Sequence, residues 1–424
     1  MQNGDKAVKF YYVGEKGREQ LRRYKYHGAD HSLVSKYILQ PFWSRFVLLF
    51  PLSVAPNTIT VVGLCFVFLS VGLSWYLSPD LLAHVPRPVL VLFAVLLFLY
   101  QTFDAVDGKQ ARRTGASSPL GELMDHSCDA VCCTLEVLPF AAAGMMGSHA
   151  PLFWLVSSST FYFASWETFF THSLVLPIVN GPTEGLLVLC SFFLFTAYMG
   201  QDWFRVPLFP PSSIIHMHTH MPLLARIASL SRLDLLLLVQ FPLFAFPTAV
   251  SNWVTVLRAV RAGEKEKRRA GQPVPFAGTM LFAALLLVPY FALASFTVAW
   301  AVLSPSAIVP THSHFFFLAL CFSFALIVGR MILAHLTRES EGLLVAMLQP
   351  LFFLTVALIN AAWPYFTRST ASSGPLQTPL PEFPLLLLYV AHTGYMYAHF
   401  AVGVCYDICN TLGIYTFRVG KMKQ

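Results

Sequence analysis

Residues 86–129 read PRPVLVLFAVLLFLYQTFDAVDGKQARRTGASSPLGELMDHSCD. From Pro88 to Phe103 the run carries no charge, and with its flanks it approaches the roughly 20 apolar residues that a membrane-spanning helix needs. Immediately after it come Asp104, Asp107, Asp125 and Asp129, with Gly108, Ala111, Arg112 and Gly121 among them. Apolar sequence resumes beyond Asp129. Carboxylates in that setting are costly unless a divalent ion or another cation compensates them. The stretch therefore reads as a membrane helix ending in a metal and phosphate site at the membrane surface.

The rest of the chain agrees with a membrane setting. Of 424 residues, 56% are hydrophobic and 12% charged, against about 25% charged in an average soluble domain. Mean hydropathy is +0.61. The net charge of +7 does not point to nucleic acid, because the basic residues cluster in loops between apolar runs. The N-terminal MQNGDKAVKFYYVGEKGREQ lacks an apolar core, so no cleavable signal peptide is expected and the first span serves as its own insertion signal. The eight cysteines fall almost all in apolar segments and read as small core residues. Cys405 and Cys409 lie one helical turn apart but lack the further ligands of a zinc site.

The expected fold is an all-α polytopic integral membrane protein with about ten transmembrane helices. The spans fall near 58–78, 86–107, 127–147, 151–177, 184–200, 233–258, 276–303, 313–335, 343–365 and 383–412. Residues 30–50 read as an N-terminal amphipathic helix lying in the headgroup layer, where Leu33, Tyr37, Phe42, Trp43 and Phe46 alternate with Lys36 and Arg45. We divide the chain into a cytosolic N-terminus with this helix (1–50), catalytic helices (51–230) and C-terminal helices (231–424) of the same membrane domain. With ten spans, the basic N-terminus, the loop with Lys109, Arg112 and Arg113, the segment near 258–269 and the tail fall on one side. The positive-inside rule makes that side cytosolic. Residues 174–186 share the face of the aspartates, and the 200–232 and 366–382 loops lie opposite.

Helical spacing sharpens the site. Asp104 and Asp107 are three residues apart and Asp125 and Asp129 four, so each pair shares a face. Two such pairs on facing helix ends could hold one or two hard cations through oxygen. Gly108, Ala111 and Gly121 let a ligand approach the backbone, and Lys109, Arg112 and Arg113 offer cations to phosphate oxygens.

The pattern D-x2-D-G-x2-A-R-x8-G-x3-D-x3-D resembles the signature of the CDP-alcohol phosphotransferase family at every defined position. YKYHGADHSLVSKYILQPFW (24–43), FPLSVAPNTIT (50–60) and NGPTEG (180–185) are similar to its eukaryotic choline/ethanolaminephosphotransferase branch. The likeness covers about the first half of the chain. It implies transfer of phosphoethanolamine or phosphocholine from CDP-ethanolamine or CDP-choline to diacylglycerol, the last step of the Kennedy pathway. It further implies Mg²⁺ or Mn²⁺, with two ions expected, a homodimer, and an endoplasmic reticulum or Golgi membrane. By the same resemblance Asp104, Asp107, Asp125 and Asp129 are metal ligands, and Gly108, Ala111, Arg112 and Gly121 belong to the nucleotide site. Asn57 resembles a position near the nucleotide, with a helix cap as the alternative.

The acceptor hydroxyl needs a base. His126, beside Asp125 and three residues before Asp129, titrates nearer neutral pH than a metal-bound carboxylate. Asp129 is the rival assignment, and Glu184 in a same-side loop could orient the imidazole. For a choline head group, Tyr162, Phe163, Trp166 and Phe169 with Glu167 could form a cation–π cage, or simply pack as core. His216, His218 and His220 read as solvated loop residues. Arg330 and His335 read as snorkelling side chains, whereas Glu136, His392, His399 and Asp407 are intramembrane polar groups open to several pairings. Two rivals stand beside this reading. One is a CDP-alcohol transferase taking an inositol, serine or glycerol phosphate acceptor. The other is an ion-coupled transporter, whose carboxylates would be spread near the bilayer midplane.

Overall fold

A chain in hydrocarbon must satisfy its backbone within each segment, so apolar runs bounded by proline and glycine become helices. The computed structural model describes residues 11–24, 28–30, 32–176, 182–207, 229–367 and 377–422. Helix α1 (Glu15–Arg23) precedes the short strand β1 (Gly28–Asp30). A π-helical turn, Ser35–Leu39, leads into α2 (Gln40–Phe46). Long helices follow as α3 (Pro56–Leu77) and α4 (Arg87–Thr114), then α5 (Pro119–Leu135) running into α6 (Val137–Gly144), and α7 (Ala150–Thr171). Strand β2 (Leu174–Leu176) pairs in parallel with β1, Gly28 opposite Leu174. Helix α8 (Pro182–Met199) completes the first half. The second half holds α9 (Arg232–Gln240), α10 (Phe246–Arg269), α11 (Met280–Leu285), α12 (Val288–Leu303), α13 (Ile308–Thr337), α14 (Leu343–Leu348), α15 (Phe352–Thr367) and α16 (Glu382–Leu412).

Among the described residues, seven helical stretches are long and apolar enough to cross a membrane: Pro56–Leu77, Arg87–Thr114, Pro119–Gly144, Met280–Leu303, Ile308–Thr337, Leu343–Thr367 and Glu382–Leu412. The polytopic all-helical reading stands. The remaining expected spans are helical too, as α7, α8 and the α9–α10 pair, but they lie outside this group. Helix α7 is diluted by serine, threonine and Glu167, the apolar part of α8 is only Thr183–Met199, and α10 ends in a charged run. The HMHTH histidines and residues 177–181 of the loop before α8 lie outside the described residues.

Helix α13 is the buried post of the bundle, and α5 with α6 is its counterpart from the first half. In each, 83% of the apolar window is buried. They pack on each other, and α13 also packs on α7 and α16, so both halves of the chain share one core. Ala141, Ala142 and Ala143 are fully buried and let α6 sit close to its neighbours. Glu136 marks the α5–α6 junction, buried with both carboxylate oxygens unpartnered.

The segment expected to float in the headgroup layer is two-sided. Leu39, Trp43 and Val47, four residues apart, are buried against Ile59 of α3 and Val106 of α4. Tyr37, Ile38, Phe42, Leu48 and Leu49 point outward, as an interfacial helix requires. Trp43 thus belongs to the packed face, not the lipid face.

The polar residues of α13 and α16 have structural employment. The Arg330 guanidinium lies over the Tyr12 and Phe400 rings at 4.6 and 4.9 Å, which overturns the snorkelling expectation. Asp407 accepts hydrogen bonds from the backbone N–H groups of Tyr11, Tyr12 and Val13. Glu339 accepts from Gly14 and Gly17. The Tyr12 hydroxyl meets His399 Nδ1 at 2.5 Å. Together these contacts strap the N-terminal segment across the end of the C-terminal helices.

Candidate active site

The turn between α4 and α5 builds the site. Helix α4 stops at Gly115, whose left-handed φ of +64° is the conformation that ends a helix cheaply only at glycine. Ser118 then caps α5, its Oγ accepting from the Gly121 N–H at 3.3 Å, with Pro119 in the first helical position. The chain reverses within a few residues, and α4 and α5 both pack on α3, so that their side chains face one another. Asp104, Asp125 and Asp129 meet there, with one carboxylate oxygen from each within 4.8 Å of the others. Asp104 Oδ1 is buried without a hydrogen-bond partner. An orphaned carboxylate oxygen among two further carboxylates fits a hard divalent cation bound through oxygen. Asp107 is turned slightly aside and accepts from Thr60 Oγ1 of α3. Tyr100 donates to Asp129 Oδ1 at 2.6 Å.

Small residues leave open the side expected to take the nucleotide. Among the described residues, a Cβ on Gly108 would find only the Arg112 Nη1 within reach, at 3.7 Å. A Cβ on Gly121 would touch Asn57 Oδ1 at 3.7 Å and Ser118 Oγ at 3.9 Å. Asn57 is not the cap of α3, since Ala55 occupies that position. Its Nδ2 donates to the Thr416 carbonyl at 2.9 Å, which leaves the Oδ1 facing Gly121. Ala111 lies on the same stripe of α4 as Asp104 and Gly108.

Two of the three expected phosphate cations face elsewhere. Lys109 Nζ donates to Gln40 Oε1 at 2.6 Å and Ser44 Oγ at 3.1 Å. Arg113 donates to the Val47 and Phe50 carbonyls and to Gln110 Oε1. Both tie α4 to the interfacial segment, because positions 109 and 113 lie on the helix face away from the aspartates. Arg112 remains beside Gly108.

His126 sits next to the carboxylates, its side chain 12% exposed and its Nδ1 3.7 Å from Asp125 Oδ2. Nδ1 also lies 3.1 Å from the Glu122 carbonyl oxygen. That bond makes Nδ1 the protonated nitrogen of the neutral ring and leaves the lone pair on Nε2. The Glu122 carboxylate, one turn earlier, receives the Tyr24 hydroxyl and faces His335 Nε2 at 3.8 Å. His335 is therefore no snorkelling residue: it is buried, stacked on His172 with ring centroids 5.5 Å apart. Glu184, at the start of α8, accepts from Ser32 Oγ.

The aromatic cluster of α7 is core. Tyr162 stacks on Tyr290 at 4.7 Å and Trp166 on Trp253 at 5.6 Å, and Trp166 Nε1 donates to the Ala283 carbonyl at 3.0 Å. All four rings, Tyr162, Phe163, Trp166 and Phe169, are buried, which fits the packing alternative.

Residues 53–210 match the family described as CDP-alcohol phosphatidyltransferase. Over 410 residues the chain is 41% identical to "Choline/ethanolaminephosphotransferase 1" of Arabidopsis thaliana, covering 97% of this chain and 99% of that protein. It is 32% identical over 421 residues to "Cholinephosphotransferase 1" of Saccharomyces cerevisiae, covering 98% and 99%. The chain belongs to the CDP-alcohol phosphotransferase family. Within it, near full-length identity puts the chain in the eukaryotic choline/ethanolaminephosphotransferase branch. In this CDP-alcohol phosphotransferase, the family match contains α3 through α8 and hence the carboxylates, His126 and Glu184. Tyr24 and His335 lie outside it, one on each side. Thr60, Tyr100 and Glu122 were legible in principle: they precede or follow Asn57, Asp104 and His126 by one helical turn. Tyr24 and His335 carry no local signal, because their partner is distant in sequence.

Proposed function

We propose that this CDP-alcohol phosphotransferase transfers phosphoethanolamine or phosphocholine from the CDP ester to diacylglycerol, producing the phospholipid and CMP. The observation that carries the proposal is the convergence of Asp104, Asp125 and Asp129 beside His126, at the end of helices apolar enough to span a bilayer. The names borne by the full-length relatives support ethanolamine and choline as head groups. In this reading the protein works as a homodimer in the endoplasmic reticulum or Golgi membrane, with the site open to the cytosol.

The residues divide the work. Mg²⁺ or Mn²⁺ held by the aspartates, two ions in this reading, would offset the diphosphate charge and stabilise CMP as the leaving group. Gly108, Ala111 and Gly121 leave room for the nucleotide, with Asn57 and Arg112 at its edges. The diacylglycerol hydroxyl oxygen forms a bond to the head-group phosphorus, and the bond from that phosphorus to the CMP oxygen breaks. His126 Nε2 takes the hydroxyl proton, and Asp129 is the rival base. Glu184, at the start of α8 with Ser32 as partner, stays in the scheme as a carboxylate that would help to orient the base. E184Q is expected to lower turnover, and full turnover with normal donor affinity removes it from the scheme.

The test is CMP release by purified protein with diacylglycerol, Mg²⁺ and either CDP-choline or CDP-ethanolamine. Turnover that disappears with EDTA, in D129N and in H126A is expected, and the ratio of the two donors names the head group. No CMP from either donor with folded protein overturns the proposal and brings forward inositol, serine or glycerol phosphate acceptors.

A further inference from the structure

We propose that Tyr24 and His335 are positioning residues for the reaction, acting through Glu122 on the orientation of His126. This rests on His126 being the base. The two residues come from opposite ends of the chain, outside the family-matched segment, and meet on one carboxylate. The Glu122 side chain is 8% exposed and that of His335 6%, so the carboxylate has little water to replace its partners. Tyr24 donates to Glu122 Oε2. His335 Nε2 stands 3.8 Å from Glu122 Oε1, and the Tyr24 and His335 rings meet edge to face at 6.2 Å. The main-chain oxygen of the same Glu122 holds His126 Nδ1 at 3.1 Å. Whatever fixes the first turn of α5 therefore fixes the direction of Nε2.

Both clamping residues are themselves braced. The helix that leads to Tyr24 is strapped by Glu339 at the amides of Gly14 and Gly17. His335 is backed by His172, whose Nδ1 lies 3.4 Å from His335 Nδ1. A buried carboxylate gripped from two sides sets the helical turn that carries the base, and a misplacement of about 1 Å can cost on the order of a hundredfold in rate.

The experiment uses the full-length protein with diacylglycerol, Mg²⁺ and whichever CDP donor it turns over. It compares Y24F, H335Q, E122Q, Y24F/E122Q and H126A. Thermal unfolding and CMP binding check that each variant is folded and its aspartate site intact. Y24F is expected to lower kcat about tenfold, the scale of one buried hydrogen bond to a charged group, and H335Q, which removes a packing contact at 3.8 Å rather than a hydrogen bond, by a smaller factor. KM for the CDP donor and CMP affinity should stay within about twofold, and Y24F should add nothing to E122Q, since both act through one group. Unchanged kcat in Y24F and H335Q, or Y24F and E122Q losses that multiply, overturns the inference. So does a loss of CMP binding parallel to the loss of kcat, which marks general structural damage. Turnover retained in H126A removes the base assignment and this inference with it. Turnover lost in H126A but untouched in Y24F and H335Q removes the inference alone.

Discussion

Gly108 shows what a single missing side chain does for this site. It lies inside α4, where glycine costs about 0.5–1 kcal/mol relative to alanine, and among the described residues the only atom near the space its Cβ would take is the Arg112 Nη1 at 3.7 Å. The cost offsets no packing, so it belongs to ligand approach. G108A is therefore expected to gain stability by about 0.5–1 kcal/mol while raising KM for the CDP donor. Thermal unfolding with parallel kinetics checks this, and a variant that melts lower with unchanged KM contradicts it. Spacing pointed to the convergence of Asp104, Asp125 and Asp129 because a shared helix face is a local property, but not to Thr60 as the partner of Asp107. Lys109 was misread for the same local reason. At roughly 100° per residue it points about 140° away from Asp104, and charge was read without that angle.

At the scale of elements, the reversal from α4 to α5 does the assembling. Its parts are Gly115 in the left-handed region and the Ser118 cap. S118A should destabilise the protein by about 1 kcal/mol and lower kcat, because the cap fixes the turn that carries Glu122 and His126. Chemical denaturation and turnover measured together test it, and a stability loss with unaltered kcat would detach the cap from the chemistry. The interfacial segment was legible as amphipathic, but Trp43 was not legible as inward-facing, since α2 has apolar residues on both faces. The number of spans was the least legible quantity. Serine and threonine satisfy their hydroxyls on the preceding turn of α7, as Thr168 does on Ala164, so a helix can be polar in composition and still pack in the bundle.

Across the whole molecule, the N-terminal segment is tied to α16. Asp407 is fully buried and accepts from the backbone of Tyr11, Tyr12 and Val13. The sequence left its partner open because no local pattern links residues so far apart. D407N should loosen the N-terminal strap by about 1–3 kcal/mol, the cost of disrupting a buried charged hydrogen-bond set. Limited trypsin digestion reads this as faster cleavage at Lys16, Arg18, Arg22 or Arg23. Cleavage at the parent rate would mean that Glu339 and the Arg330–Tyr12 stack suffice.

The strap also sets an order in time. Tyr11, Tyr12 and Val13 leave the ribosome long before Asp407, the carboxylate on α16 that receives them. During synthesis, residues 11–13 must wait without that anchor while the intervening spans enter the bilayer. A nascent chain that has completed α5 already owns its aspartates, yet the segment leading to Tyr24 lacks its Asp407 anchor until α16 arrives. Chains cut short before Asp407 would carry the chemistry without its final alignment.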